Sequence, residues 1–265
     1  MLRRMTEVLL GPVTVRRRLP KMVGGGAVIA NPKVGGLRYL FRTSEYFDPV
    51  LYKVARALIK PNDIVWDVGG NVGLFAASAS GLAGSGGAIY TIEADKDAFE
   101  LLLRTANSQP SNHAPINCLN VAVSNQCGVV QFNIAKRSRS ANFIAGFGST
   151  QTGGITETRL VPSLTLDVLL SSFPSPKLIK IDVEGAELLA LEGARNILLN
   201  VRPAIFVEVG AEAAKGVAEF LRRNEYRILD GTSLLEIRGD ESAPWDTVAI
   251  PMESDLGTTL NENHH

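Results

Sequence analysis

The chain has 265 residues, 45% of them hydrophobic and 20% charged, which suits one large globular domain. No apolar run approaches the roughly 20 residues that span a bilayer, and Val8 to Leu10 is too short for a signal-peptide core, so a soluble, cytoplasmic protein is expected. Two cysteines, Cys118 and Cys127, and three histidines, two of them terminal, argue against a disulfide framework and a histidine-rich metal site.

Formal charge is zero, yet residues 1–44 carry nine Lys or Arg against one acid, Glu7. Such a basic arm folds onto its own domain or docks on a partner subunit or anionic surface. Peripheral membrane contact and homo-oligomerisation are therefore open, and nucleic acid is disfavoured. Glycines 24–26 and 35–36 break any long helix in the arm, leaving short strands over 27–29 and 38–41. From Ser44, read as a cap, apolar residues at Tyr46, Val50, Leu51, Val54, Ala55 and Leu58 predict a helix that ends before Pro61.

Beyond it strands and helices alternate. Strands are predicted over 64–68, 88–93, 116–121, 129–134, 178–182, 204–208, 226–229 and 247–250. Helices are predicted over 72–81, from the cap Asp95 through Leu103, and over 186–199 and 213–223. The last two strands are joined by a Gly- and Asp-containing connection with no helical period and read as an antiparallel pair. The expected fold is α/β: a Rossmann-like class I methyltransferase with a mostly parallel seven-stranded sheet, one antiparallel strand and helices on both faces. The expected organisation is a basic arm (1–44), the Rossmann-like domain (45–251) and a flexible tail (252–265). Residues 135–162, with Lys136, Arg137, Arg139 and Asn142, read as a long irregular stretch that either shapes an acceptor site or is a mobile surface loop.

The run from Val65 to Phe75 is a hydrophobic strand entering a glycine turn and a helix. Small residues let a ligand approach the backbone. The dinucleotide pattern G-x-G-x-x-G fails, because from Gly69 its second and third glycines would be Asn71 and Leu74. Asp67, Gly69 and Gly73 give D-x-G-x-x-x-G instead. An exposed carboxylate at Asp67 would repel a pyrophosphate and pair with the ammonium of an amino acid ligand such as S-adenosylmethionine. Glu93, twenty residues after Gly73, ends the second strand where an acid accepts the hydroxyl protons of a ribose. Ala94, Val121 and Ala122 complete the expected cofactor site with Asn71, and Asp95 reads as a helix cap.

In the strand that follows Lys177, Lys180, Asp182 and Glu184 alternate with apolar residues, so one face carries charge at the end where ligands bind in open α/β sheets. Asp182 is the first candidate to orient an acceptor or take its proton, Glu184 the second, and Asp182 also borders the cofactor. Lys180 is expected to pair with Glu208, and Glu187 to sit favourably in the first turn of a helix. Without an Asn-Pro-Pro-Tyr or Asp-Pro-Pro-Tyr run or a Pro-Cys pair, oxygen is the preferred methyl acceptor. Asp182 with Glu208 is weak evidence for a divalent cation, and no metal is assigned.

Asp67-Val68-Gly69-Gly70-Asn71-Val72-Gly73, Ile92-Glu93-Ala94, Leu164-Thr165-Leu166-Asp167 and Lys180-Ile181-Asp182-Val183-Glu184-Gly185-Ala186-Glu187 resemble the FkbM family of S-adenosylmethionine methyltransferases. The resemblance covers about residues 45–251 and extends to Val248-Ala249-Ile250-Pro251. It implies O-methylation of a hydroxyl on a sugar, glycolipid or polyketide-like product. Two other classes stay open: an NAD-dependent oxidoreductase on the same fold, and a non-catalytic module recruited by the basic arm.

Overall fold

The computed structural model describes residues 13–135, 142–147, 154–237, 239 and 241–255. Arg3, Arg4, Lys136, Arg137, Arg139 and the tail beyond 255 lie outside them.

Strands β1 (Val15–Arg18) and β2 (Ala27–Ala30) form an antiparallel pair ahead of the domain. Residues 38–41, expected as a strand, form a short helix α1 (Arg38–Phe41). The next helix, α2 (Pro49–Leu58), starts later than expected. Ser44 opens only a 3-10 turn, while Asp48 caps α2 by accepting the Leu51 amide at 3.0 Å, with Pro49 at the first helical position.

Seven strands make the main sheet: β3 (Ile64–Val68), β4 (Ala88–Ile92), β5 (Ile116–Leu119), β10 (Leu178–Ile181), β11 (Ala204–Glu208), β12 (Tyr226–Asp230) and β13 (Asp246–Pro251). Their order is β12-β13-β11-β10-β3-β4-β5. β13 runs antiparallel to both neighbours and the other pairings are parallel, so this is the expected Rossmann-like sheet. One face carries α2, α3 (Leu74–Ala83) and α4 (Lys96–Ala106). The other carries α5 (Leu166–Leu169), α6 (Glu187–Glu192), α7 (Arg195–Asn200) and α8 (Ala214–Arg223). The helix expected over 186–199 is thus two helices. Gly193 stands at the break, and no side chain fits there, because a Cβ would collide with the Ser124 carbonyl.

The basic segment is part of this core. Leu19, Val23, Val28, Val34 and Tyr39 are buried with the α2, α3 and α4 side chains. Arg17 donates to the carbonyls of Tyr39 at 2.6 Å, Leu40 at 3.2 Å and Arg42 at 2.8 Å, and Arg16 reaches Ser108 O. These guanidinium groups hold backbone that would otherwise lack partners.

Residues 135–162 depart most from expectation. Strand β9 (Ile155–Leu164) pairs antiparallel with β7 (Gly128–Ala135), and β6 (Ala122–Val123) and β8 (Phe143–Ile144) complete a second sheet of order β6-β9-β7-β8. Its inner side chains, Phe132, Ile134, Ile144 and Val161, close on Ala122 and Ala186. Long stretches of β9 are exposed on both faces, so apolar alternation, the main sequence signal for a strand, is weak there.

Candidate active site

The carboxyl ends of β3, β4 and β10 and the inner face of the second sheet border a cleft. Its floor is Val68, Gly69, Asn71 and Ile92, and one wall is Glu93, Ala94 and Val121 to Val123. Phe132, Asn142, Phe143 and Ile144 cover it, and Asp182 to Glu184 stand at its mouth. Of the predicted site residues, Gly69, Asn71, Glu93, Ala94, Val121, Ala122, Asp182 and Glu184 meet here, and Asp67 and Gly73 do not.

Asp67 is fully buried, which corrects the expectation of an exposed carboxylate. Oδ2 accepts from the Thr91 hydroxyl at 3.1 Å and Oδ1 lies 3.9 Å from Lys180 Nζ. Burial raises its pKa, and the lysine opposes that rise. Gly73 starts α3 with φ +91°, and a Cβ there would press on Leu102 and Thr105, so it serves helix packing.

The turn itself is tightly tied. Gly69 and Gly70 both donate to Ile92 O, at 2.9 and 3.0 Å, Asn71 N donates to Glu93 Oε2 at 2.7 Å, and Gly73 N donates to Gly70 O at 2.8 Å. These four amides of the turn are already satisfied within the protein. Gly69, at φ +80°, admits no side chain, since its Cβ would overlap the Asp182 carbonyl. Asn71 holds φ +49°, a left-handed conformation that asparagine tolerates, and its Oδ1 is buried with no hydrogen-bond partner among the described residues. That oxygen is ready for a donor from the cleft.

Glu93 accepts the amides of Asn71 and Asp95, each at 2.7 Å. Burial lifts its pKa to about 7 despite both bonds. Each oxygen keeps a lone pair for a ligand hydroxyl. Asp95 caps α4 through the Asp97 amide and also holds the second sheet, taking Asn142 Nδ2 at 2.9 Å and Arg159 at 3.1 Å. Sequence reading saw the cap and missed the strap, because neither partner is near in sequence.

At the mouth, Lys180 Nζ donates to Asp182 Oδ2 at 2.9 Å. Its expected bond to Glu208 is absent; Asp182 and Asp67 are its ion partners, while Glu208 acts on it only at longer range. Asp182 and Glu184 lie in the turn after β10, which ends at Ile181, so the charged face continues beyond the strand. Register places Glu208 one strand over, directly opposite Asp246 on β13. Repulsion from Asp182, then burial, lifts the Glu208 pKa to about 8, while burial followed by Asp182 lifts that of Glu184 to about 7. Asp246 is raised to about 6 by burial and then by Asp48. The acids at 208, 246 and 48 converge only through the antiparallel strand and the α2 cap, a link that local patterns do not contain.

A family model described as the methyltransferase FkbM domain matches residues 67–228. A hexuronic acid methyltransferase, AglP of Haloferax volcanii, is 28% identical over 151 residues, covering 57% of each chain. This chain thus spans little more than half the length of that relative. Among solved structures, an FkbM methyltransferase of Methylobacillus flagellatus aligns with TM-score 0.44 and 17% identity over 75% of this chain and 52% of that one. Aeropyrum pernix fibrillarin with bound S-adenosyl-L-methionine aligns with TM-score 0.42 and 14% identity over 73% and 67%. With the family model spanning the glycine turn, the cleft wall and the acidic mouth, the chain belongs to the FkbM methyltransferases.

Proposed function

We propose that this methyltransferase uses S-adenosylmethionine to methylate a hydroxyl of a sugar or sugar-like acceptor. When bound, the cofactor supplies a methyl group activated on a sulfonium. The cleft suits it: Glu93 offers acceptors to a ribose, Asn71 Oδ1 lacks a donor that an ammonium would provide, and Val121, Phe132 and Ile144 give apolar surface to a base. The occupied amides of the turn speak against a dinucleotide.

The observation that carries the acceptor half is Asp182. It lines the cleft mouth, is 30% exposed, and is fixed by Lys180, with the Glu208 and Asp246 carboxyls in the neighbouring strands. Carboxylates aligned this way accept hydrogen bonds from a polyol, and Asp182 can take the proton that an attacking hydroxyl loses. A relative named for hexuronic acid methylation supports a sugar acceptor.

The test is transfer of labelled methyl from S-adenosylmethionine to a panel of neutral and acidic glycosides. Asp182→Asn is expected to reduce turnover by about 10²-fold or more while retaining S-adenosylhomocysteine binding. Undiminished turnover would remove Asp182 as base, and NAD binding without S-adenosylhomocysteine binding would favour an oxidoreductase.

A further inference from the structure

Lys180 is out of place by the ordinary rules of a central parallel strand. Both faces of β10 are covered, and the lysine is 3% exposed. A buried ammonium of this kind is a poor source of stability, since an apolar residue of similar volume often serves as well. Its surroundings are specific. Register aligns Thr91, Asp67 and Lys180 across the adjacent strands β4, β3 and β10. The contacts run sideways along that row: Thr91 Oγ1 to Asp67 Oδ2 at 3.1 Å, Asp67 Oδ1 to Lys180 Nζ at 3.9 Å, and Lys180 Nζ to Asp182 Oδ2 at 2.9 Å. One end lies under the glycine turn, where a Cβ on Gly70 would strike Thr91 Oγ1 and crowd Asp67 Oδ2. The other end is the carboxylate at the cleft mouth.

We infer that Lys180 is a positioning residue, which anchors the Asp182 carboxylate toward the cofactor's sulfonium and ties it to the glycine turn through Asp67. The inference rests on the proposed use of S-adenosylmethionine. Lys180 touches neither substrate, so its influence on binding passes through Asp182. Without the ammonium, Asp182 keeps its acidic neighbours Glu184 and Glu208 and the longer-range charge of Arg38, and loses the hydrogen-bond donor that holds its carboxylate among the described residues. The carboxylate then turns from its anchored position, and the site loses its sense of charge on the cofactor's sulfur.

The ligand pair that isolates this is S-adenosylmethionine, with a sulfonium, against S-adenosylhomocysteine, with a neutral thioether. Calorimetry measures both dissociation constants for the native chain, Lys180→Met, Lys180→Arg, Asp182→Asn and the double variant Lys180→Met with Asp182→Asn. Lys180→Met is expected to reduce the preference for the sulfonium ligand about tenfold, the scale of one charge-assisted hydrogen bond. Lys180→Arg restores part of it. In the Asp182→Asn background the lysine substitution leaves the preference unchanged. Should Lys180→Met fail to fold, Lys180→Gln, which retains a donor, carries the same cycle with a smaller shift. Equal weakening of both ligands, an increased preference, or a change that persists without the Asp182 carboxylate would each overturn the inference. A native chain that binds neither ligand would instead refute the cofactor reading on which the inference rests.

Discussion

The residues at the cleft divide into those that meet a ligand and those that hold them in place. Glu93 is proposed for the first group, where its pKa, raised by burial to about 7, would give binding a pH dependence. Above pH 7 its carboxylate would accept two ribose hydroxyls, and below it one oxygen carries a proton. S-adenosylhomocysteine affinity should therefore fall as pH drops from 8 to 6, measured by calorimetry, and Glu93→Gln should bind weakly with a flatter profile. Unchanged affinity in that variant would remove Glu93 from the site. Gly69, Asn71, Glu93 and Asp182 were legible because strand, turn and acid follow one another at short sequence distance. Asp67 was legible as a motif residue but not in its role. Only the register of β3 against β10 shows that Lys180 claims it.

At the level of elements, the second sheet is the part that the cleft depends on and that sequence patterns hid. It hangs on Asp95, which takes Asn142 and Arg159 while capping α4. Asn142 also receives the Ala135 amide at 2.8 Å, so one side chain joins β7 to the strap. Asn142→Ala should weaken S-adenosylhomocysteine binding about tenfold and speed hydrogen exchange in β7, with little change in the exchange of β3 or β10. Equal exchange in β7 would mean that the sheet is held elsewhere. The parallel strands were readable from their continuous apolar runs, whereas β9 shows five exposed residues in its first six and gives no period to detect.

At the scale of the whole molecule, residues 13–44 contribute buried side chains to the core. Tyr39 is 1% exposed and packs edge-on to Phe47 at 4.9 Å, with Arg17 over the Phe47 ring at 5.5 Å. Removing residues 1–44 should leave a chain that does not fold cooperatively by calorimetry, and a soluble, cooperative truncation would contradict this. The basic charge drew attention to an anionic partner because composition cannot tell an arginine facing solvent from one capping carbonyls. The acids of the cleft set a second global property. Glu93, Glu184 and Glu208 have folded pKa values raised to about 7, 7 and 8, so the folded state holds more protons than the unfolded one between about pH 4.5 and 8. Stability from these groups is full at the acid end of that window and declines as pH rises. The midpoint of thermal unfolding should drop by on the order of 5 °C from pH 5.5 to 8.5, and less in Asp182→Asn, which removes the largest repulsion on Glu208.

The cofactor proposed for this FkbM methyltransferase is an amino acid sulfonium and not a dinucleotide. Calorimetric titration of the full chain with S-adenosylhomocysteine and, separately, with NAD separates the two. Saturable one-to-one binding of S-adenosylhomocysteine in the micromolar range with no heat from NAD is the predicted result. No S-adenosylhomocysteine binding at millimolar concentration, or saturable binding of NAD alone, would contradict it.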